Sequence, residues 1–486
     1  MRDSLPAASE VFGGLPEALP DDDVLRESIR AMRVADGLLL GVLDDDPTGS
    51  QAVHNVEVVT VLEENAYEAA LGGVAATCFV LTNTRSLDEP AAVELNMLAA
   101  RGLISVAERR DARIQLISRS DSTLRGHMMA EVAALQAVRR EALGSGFDGV
   151  LLVPAFLEAG RLTAADIHWA RIGARLVAVG ETEFARDSTF GYRASDLRDF
   201  VTEKSGGVIG RDDVRSIGLA DIRLGGPSRV RELLADVRDE TWVVVNAAEY
   251  SDLETVACGV LLAERAGQSF LFRTGPSFVR ALSGLGPRAP LRGEEIWPSG
   301  GRGRHGGHGL IVVGSHVSHT SRQVAALRAR GRTFDIELDV PSIVSGADNV
   351  VAATAQQVSD ALSRSDVLLY TSRAVAAGSD GVDNLAIART VSAALSGTVR
   401  GARAAQPAWV IAKGGITSHD VALHGLGIRR AEVAGQLFPG VISVLHPIDA
   451  APEAIGVPYV VFAGNVGDEG TLRQVVAILN GEQDDS

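Results

Sequence analysis

The chain has 486 residues, and its 46 Lys+Arg against 62 Asp+Glu give a formal net charge of −16. With 46% hydrophobic and 22% charged residues it has the material for a packed core, which excludes wholesale disorder. Its acidity, with no long basic stripe, excludes the electrostatic footprint of a nucleic-acid binder.

At roughly 150 residues per domain, the length suits two or three domains. Residues 1–36 read as an N-terminal extension. Met1 to Asp23 is acidic, is broken by Pro and Gly, and lacks the basic start and apolar core of a signal peptide. No stretch reaches the ~18 uninterrupted apolar residues of a membrane span, so no membrane partner is expected. Cys78 and Cys258 are the only cysteines, each inside an apolar run. Buried, reduced thiols and a cytoplasmic location are the expectation.

From about residue 37 short apolar runs alternate with amphipathic stretches. The runs Leu38–Leu43, Val56–Leu62, Thr77–Leu81, Ile114–Ile117, Val150–Val153, Trp242–Val245 and Ser269–Phe272 mostly lack strict alternation, as strands covered on both faces do. Glu89–Arg109 and Arg125–Arg140 carry helical apolar spacing. The segment 284–309 is rich in Gly, Pro and Arg and reads as a linker. Alternation restarts with Leu310–Val313, the helix Ser321–Arg328, Asp366–Tyr370, Trp409–Ala412, Val441–Leu445 and Tyr459–Ala463. The expected fold is α/β: two lobes, 37–283 and 310–486, with mainly parallel sheets and a ligand cleft between them.

Several motifs carry no weight. Gly301, Gly303 and Gly306 match GxGxxG, but they follow a coil and precede a strand, the reverse of a dinucleotide turn. His305/His308 and His316/His319 are each three apart, and no neighbouring Cys or carboxylate completes a ligand set, so no protein-held metal site is expected. There is no GxSxG nucleophile turn.

Chemistry gathers where strands end. Asp44-Asp45-Asp46-Pro47-Thr48-Gly49 follows the first strong strand, at the edge where a doubly wound sheet forms its ligand crevice. Crowded carboxylates there can hold a raised pKa or bind Mg²⁺; an acidic turn opened by Asp-Pro is the plainer alternative. Ser118 to His127 follows the strand Ile114–Ile117 and packs Arg119, Asp121, Ser122, Thr123, Arg125 and Gly126 together. Helix capping needs only one such residue. Two guanidinium forks beside a helix N-terminus suit a small anionic polyol. The loop Pro154 to Arg161, with Asp166 and His168 beyond it, also leaves a strand. In the second lobe Gly314 to Thr320, Lys413-Gly414-Gly415-Ile416-Thr417-Ser418 and Gly464-Asn465-Val466-Gly467 each follow a strand. Three such turns suit the phosphates of one nucleotide, although each alone is an ordinary βα turn.

The succession Asp-Asp-x-Thr-Gly, Asp-Ser-Thr-Leu-Arg-Gly, Pro-Ala-Phe…Gly-Arg, Gly-Ser-x-x-Ser-x-Thr, Gly-Gly-x-Thr and Gly-Asn-x-Gly resembles the four-carbon acid sugar kinases, formerly a family of unknown function. The resemblance covers nearly the whole chain after residue 37. It implies an N-terminal domain for the sugar acid, a C-terminal domain for ATP, and phosphorylation of threonate, erythronate or an oxo-tetronate at a hydroxyl, with ATP and Mg²⁺ as cofactors. Carried over residue by residue, it places Asp45 and Asp46 in the catalytic turn. Arg119, Asp121, Ser122, Arg125 and Gly126 fall on the sugar acid. Ser315, Ser318, Lys413, Gly414, Gly415, Ile416, Thr417, Gly464 and Asn465 fall on the nucleotide. The chain departs from the common pattern in the turn Asp46-Pro47-Thr48-Gly49-Ser50-Gln51, where many members have a leucine-like residue before Thr and an acidic residue after a Gly-Ala pair, and at three further positions: Arg119 replaces a lysine, Asn246 an aspartate and Ile416 a glutamate. A kinase for a longer sugar acid, or a non-catalytic binding protein of the same fold, is the competing reading. A homodimer is the default assembly. Every basic residue other than Lys204 and Lys413 is an arginine, which makes Lys413, beside Gly414, an expected phosphate neighbour.

Overall fold

The computed structural model describes residues 8–173, 175–297, 307–314, 318–346, 349–372, 381–438, 441–464 and 466–482. The chain divides into two compact units. The first comprises Met1–Val56 and Leu62–Pro287, the second Glu57–Val61 and Arg288–Ser486.

The first unit holds seven parallel strands in the spatial order Thr77–Leu81, Leu38–Asp44, Arg113–Arg119, Phe270–Thr274, Gly149–Val153, Thr241–Val245 and Arg215–Ile217. Every residue of Leu38–Asp44 is buried, which explains its unbroken apolar run. Helices between the strands start on sequence signals. Asp88 caps Glu89–Arg109 by accepting from the Ala91 amide at 3.0 Å, with a proline in the first turn. Cys78 and Cys258 are both buried and unpaired with each other.

A separate antiparallel sheet of Arg161–Ala164, Ile167–Ile172 and Arg175–Ala178 was not expected from the sequence. Its first hairpin turns on Ala165 and Asp166, both with positive φ (53° and 64°). Such turns normally carry Asn or Gly, so the usual signal is missing. Asn246 substitutes for it. Its Nδ2 donates to Asp166 Oδ1 at 2.7 Å, and its Oδ1 accepts from the Asp166 amide at 2.8 Å.

The second unit places Thr333–Leu338, Asp366–Thr371, Leu310–Val313, Val410–Lys413 and Tyr459–Phe462 side by side as parallel strands. Ile442–Asp449, Arg430–Phe438 and Glu57–Val59 follow as antiparallel neighbours. Two segments lie elsewhere than their sequence context suggests. The Val56–Leu62 run contributes only the strand Glu57–Val59, and it pairs with Arg430–Glu432 of the second unit. Leu291 and Ile296, inside the expected linker, are fully buried with Trp409, Ile411 and Phe462 in the second unit's core. No helix among the described residues is long and apolar enough to cross a membrane.

Gly309 shows how tightly that core is packed. A Cβ there would lie 2.1 Å from Trp409 Cδ2, and Trp409 is fully buried. Gly309→Ala is expected to destabilise the second unit by at least ~1–3 kcal/mol, the cost of overpacking, read as a lowered melting temperature.

Candidate functional site

In the first unit the candidate site forms at the carboxyl edge of adjacent strands. Register places Asp44 beside Arg119 and Arg119 beside Thr274. Arg119 Nη1 donates to Asp44 Oδ1 at 2.7 Å and lies 3.5 Å from Asp45 Oδ1. The turn is compact for a steric reason: a Cβ on Gly49 would sit 2.0 Å from Asp44 Oδ2.

The three aspartates are not equivalent. Asp45 is 2% exposed, and neither carboxylate oxygen has a hydrogen-bond partner among the described residues. Burial raises its pKa above the ordinary carboxylate range, against the nearby Arg85 and Arg119. Burial raises Asp44 as well, with Arg119 opposing and the other two aspartates reinforcing. Asp46 goes the other way. Burial pushes it up, but the guanidiniums of Arg85 and Arg119 and two bonds from Thr48 outweigh that and lower it. The Thr48 amide and hydroxyl donate to Asp46 Oδ1 at 2.8 and 2.5 Å, and Arg85 donates to Oδ2.

Asp121 and Arg125 lie next to this turn. Arg125 Nε donates to Asp121 Oδ2 at 2.6 Å, and Arg85 Nη1 is 3.4 Å from the same oxygen. Burial raises the Asp121 pKa, but Arg85, Arg125 and Thr123 dominate and hold it well below the usual range. Arg125 keeps a partly exposed guanidinium 3.6 Å from Asp187 and 5.1 Å from the Phe184 ring centre. Gly126 has φ 125°, and a Cβ there would meet Arg273 Nη2 at 3.1 Å and Asp45 Oδ2 at 3.2 Å. Glycine is therefore what lets the loop pass this close to Asp45.

The loop is pinned from behind. His168 is fully buried; its Nδ1 pairs with the Thr163 hydroxyl at 2.9 Å and its Nε2 with the Ser122 carbonyl at 2.8 Å. Burial lowers its pKa to about 4, so it stays neutral, with Nε2 as donor and Nδ1 as acceptor. The Tyr192 hydroxyl donates to the Thr123 carbonyl at 2.6 Å.

Sequence reasoning missed three members of this cluster. Arg85 bridges Asp46 and Asp121. Arg273 donates to Ser118 Oγ at 2.7 Å and to Glu131, and Glu131 also accepts from Thr84 Oγ1 at 2.6 Å. Arg85 follows the strand Thr77–Leu81, and Arg273 is the last residue but one of the strand Phe270–Thr274. The strand-end rule that flagged Asp45 and Arg119 applies to both.

The second unit brings its three glycine turns together at the carboxyl ends of neighbouring strands. A Cβ on Gly314 would fall 2.3 Å from Thr417 Oγ1, so the first and second turns are in contact. Thr320 Oγ1 donates to the Gly464 carbonyl at 2.8 Å, which joins the first turn's helix to the third turn. Gly414 has φ 118°; Ser418 Oγ donates to the carbonyls of Ala412 and Gly414 at 2.9 and 2.7 Å. Ser318 and Ile416 are exposed, and Gly415 opens the helix Gly415–Asp420. Ser315 and Asn465 lie outside the described residues.

Lys413 is placed differently from a phosphate ligand. It is fully buried, its Nζ donates to the Ala463 carbonyl at 3.0 Å, and it stands 3.6 Å from the Phe462 ring centre. Burial lowers its pKa to about 7. As the last residue of its strand it reaches across the neighbouring strand and supports the Ala463–Gly464 turn from beneath.

The cluster does not suit a protein-held divalent cation. Asp44, Asp46 and Asp121 each face an arginine, and no group of three metal-ligating side chains occurs among the described residues. Mg²⁺ carried on nucleotide phosphates needs only one or two protein carboxylates.

Residues 40–282 match the family model described as a sugar-binding N-terminal domain, and residues 310–472 match that of a nucleotide-binding C-terminal domain. A Haemophilus influenzae protein of the DUF1537 family is similar in fold, with TM-score 0.59 and 18% identity over 90% of this chain and 100% of that one. A Salmonella typhimurium LT2 protein, provisionally named a tRNA synthase, has TM-score 0.65 and 18% identity over 90% of this chain and 98% of that one. No curated protein matches the chain.

Proposed function

The chain belongs to the four-carbon acid sugar kinase family, and from that premise we propose that it transfers the γ-phosphoryl group of ATP to a hydroxyl of a four-carbon sugar acid such as threonate, erythronate or an oxo-tetronate. The observation that carries this reading is the Asp45 carboxylate, buried, unpaired by hydrogen bonds and set among arginines at a sheet edge.

Phosphoryl transfer depends on positioning and charge neutralisation more than on covalent chemistry. Asp45 accepts the proton of the substrate hydroxyl as its oxygen bonds to the γ-phosphorus. The bond from that phosphorus to the bridging oxygen breaks, and the electron pair leaves with ADP. Asp46 holds Arg85, and Asp121 orients Arg125. The outward part of the Arg125 guanidinium receives the acid's carboxylate, for which its planar fork is suited. Ser122 and Gly126 shape the loop, and Arg119 balances Asp44 and Asp45. The turns at Gly314, Gly414–Thr417 and Gly464 take the nucleotide, with Ser315, Ser318 and Asn465 as further contacts.

Lys413 acts here as a positioning residue for the Ala463–Gly464 turn. Lys413→Met is expected to raise KM for ATP by ~10-fold or more, the worth of one charge-assisted hydrogen bond, with a smaller change in kcat. An unchanged KM for ATP at saturating acid would remove that role.

The reading is tested by coupled ADP release over threonate, erythronate, oxo-tetronates and longer aldonates. Turnover is expected with a four-carbon acid. A preference for the longer acids would move the substrate class, and ligand binding without turnover would favour a non-catalytic protein.

A further inference from the structure

A second concavity lies at the opposite edge of the first unit's sheet. The strands Leu38–Asp44, Arg113–Arg119 and Phe270–Thr274 end at the aspartate–arginine cluster. Their first residues line a pocket of about 620 Å³. At ~3.3 Å per residue, a seven-residue strand separates the two by roughly 20 Å.

Two polar groups withdrawn from water form the pocket's deep end. Gln115 is 3% exposed and Glu264 6%. Gln115 Nε2 donates to Glu264 Oε2 at 2.8 Å. That leaves Gln115 Oε1 buried without a hydrogen-bond partner among the described residues. A buried acceptor without a donor is costly, and each such group calls for an explanation.

The surrounding potential favours a donor. Three helices, Glu89–Arg109, Met128–Leu143 and Tyr250–Arg265, bring their C-terminal turns to this pocket through Glu108, Leu143 and Glu264. Unsatisfied carbonyls at helix C-termini carry partial negative charge and attract cations. Burial also raises the Glu264 pKa to about 7, against the opposing pull of Gln115 and Arg113. The mouth carries both signs, with Glu108 and Asp148 lining it beside two arginines. Arg113 is half exposed and 3.6 Å from Glu264, and Arg139 stands 4.5 Å from the Phe147 ring centre.

We propose that this pocket binds a small zwitterion of the amino-acid class, its ammonium donating to Gln115 Oε1 and Glu264 and its carboxylate facing Arg113. A plain anion lacks the donor that Gln115 needs, and a plain amine brings no carboxylate to the Arg113 fork, which stands 3.6 Å from Glu264. At the other edge the partly exposed Arg125 guanidinium stands in reach of the sugar acid's carboxylate.

The test is thermal-shift and calorimetric titration of the full chain with the amino acids and with their 2-hydroxy-acid analogues, which lack only the amine. At least one amino acid is expected to raise the melting temperature and its hydroxy analogue to fail. Glu264→Gln keeps the bond to Gln115 but removes the charge, and Arg113→Ala alters an exposed rim residue. Each is expected to weaken binding by ~10-fold or more, the worth of a charge-assisted hydrogen bond. Asp45→Asn is expected to bind as wild type does, so the pocket is tested apart from the kinase reading. Absence of any shift, equal binding of the hydroxy analogue, or unchanged affinity in both variants would overturn the proposal.

Discussion

Asp45→Asn is expected to lower kcat by ~10²–10⁴-fold, the usual contribution of a positioned general base, with little change in KM for either substrate. The substitution is nearly isosteric at a site where neither oxygen holds a hydrogen bond, so the fold should tolerate it. The pH dependence supplies a second signature. A general base works deprotonated, so kcat rises with pH through its pKa and levels off above it. Burial raises Asp45 and, separately, the adjacent Asp44. The acid limb should therefore lie above the ~4 of an ordinary carboxylate. In Asp45→Asn that limb should disappear. Asp46→Asn is the control, because Asp46 is lowered and bonded to Arg85 and Thr48. It should weaken acid binding through Arg85 and leave the limb in place. The opposite pattern would exchange the two roles.

Arg125→Ala is expected to raise KM for the sugar acid by ~10–100-fold, the worth of one or two charge-assisted hydrogen bonds, while KM for ATP stays near wild type. Steady-state kinetics with each substrate varied in turn reads the split. Arg125→Lys should recover only part of the loss, because an ammonium cannot reproduce the planar fork. Asp121 is held as an anion by Arg85 and Arg125 together, so after the truncation Arg85 still neutralises it and the loop has reason to stay folded. An unchanged KM for the acid would remove the clamp.

Most parallel strands were legible because burial on both faces writes continuous apolar runs, as in Leu38–Asp44 and Val410–Lys413, whereas the edge strands Arg215–Ile217 and Thr333–Leu338 lack such runs and were not. The helix Glu89–Arg109 was legible from its helical apolar spacing, and Asp88 and Pro90 mark its start. What escaped lacked a local signal. The hairpin at Ala165–Asp166 depends on Asn246, which is 80 residues away in sequence. Glu57–Val59 and Arg430–Glu432 find each other across most of the length of the chain. In the site, strand ends pointed to Asp45, Arg119 and Asp121. The inequality of the aspartates was not legible, because it arises from which one Arg85 and Thr48 reach. Lys413 was read as facing phosphate because it precedes two glycines. Its burial follows from the side to which the last residue of its strand points.

The central claim is the transfer of phosphate to the acid, and it is tested most directly by mass spectrometry of a four-carbon sugar acid incubated with ATP and the protein. The account predicts an acid carrying one added phosphoryl group on a hydroxyl, formed in step with ADP and lost in Asp45→Asn. ADP formed without a phosphorylated acid, or no reaction of any four-carbon acid with ATP, would contradict it.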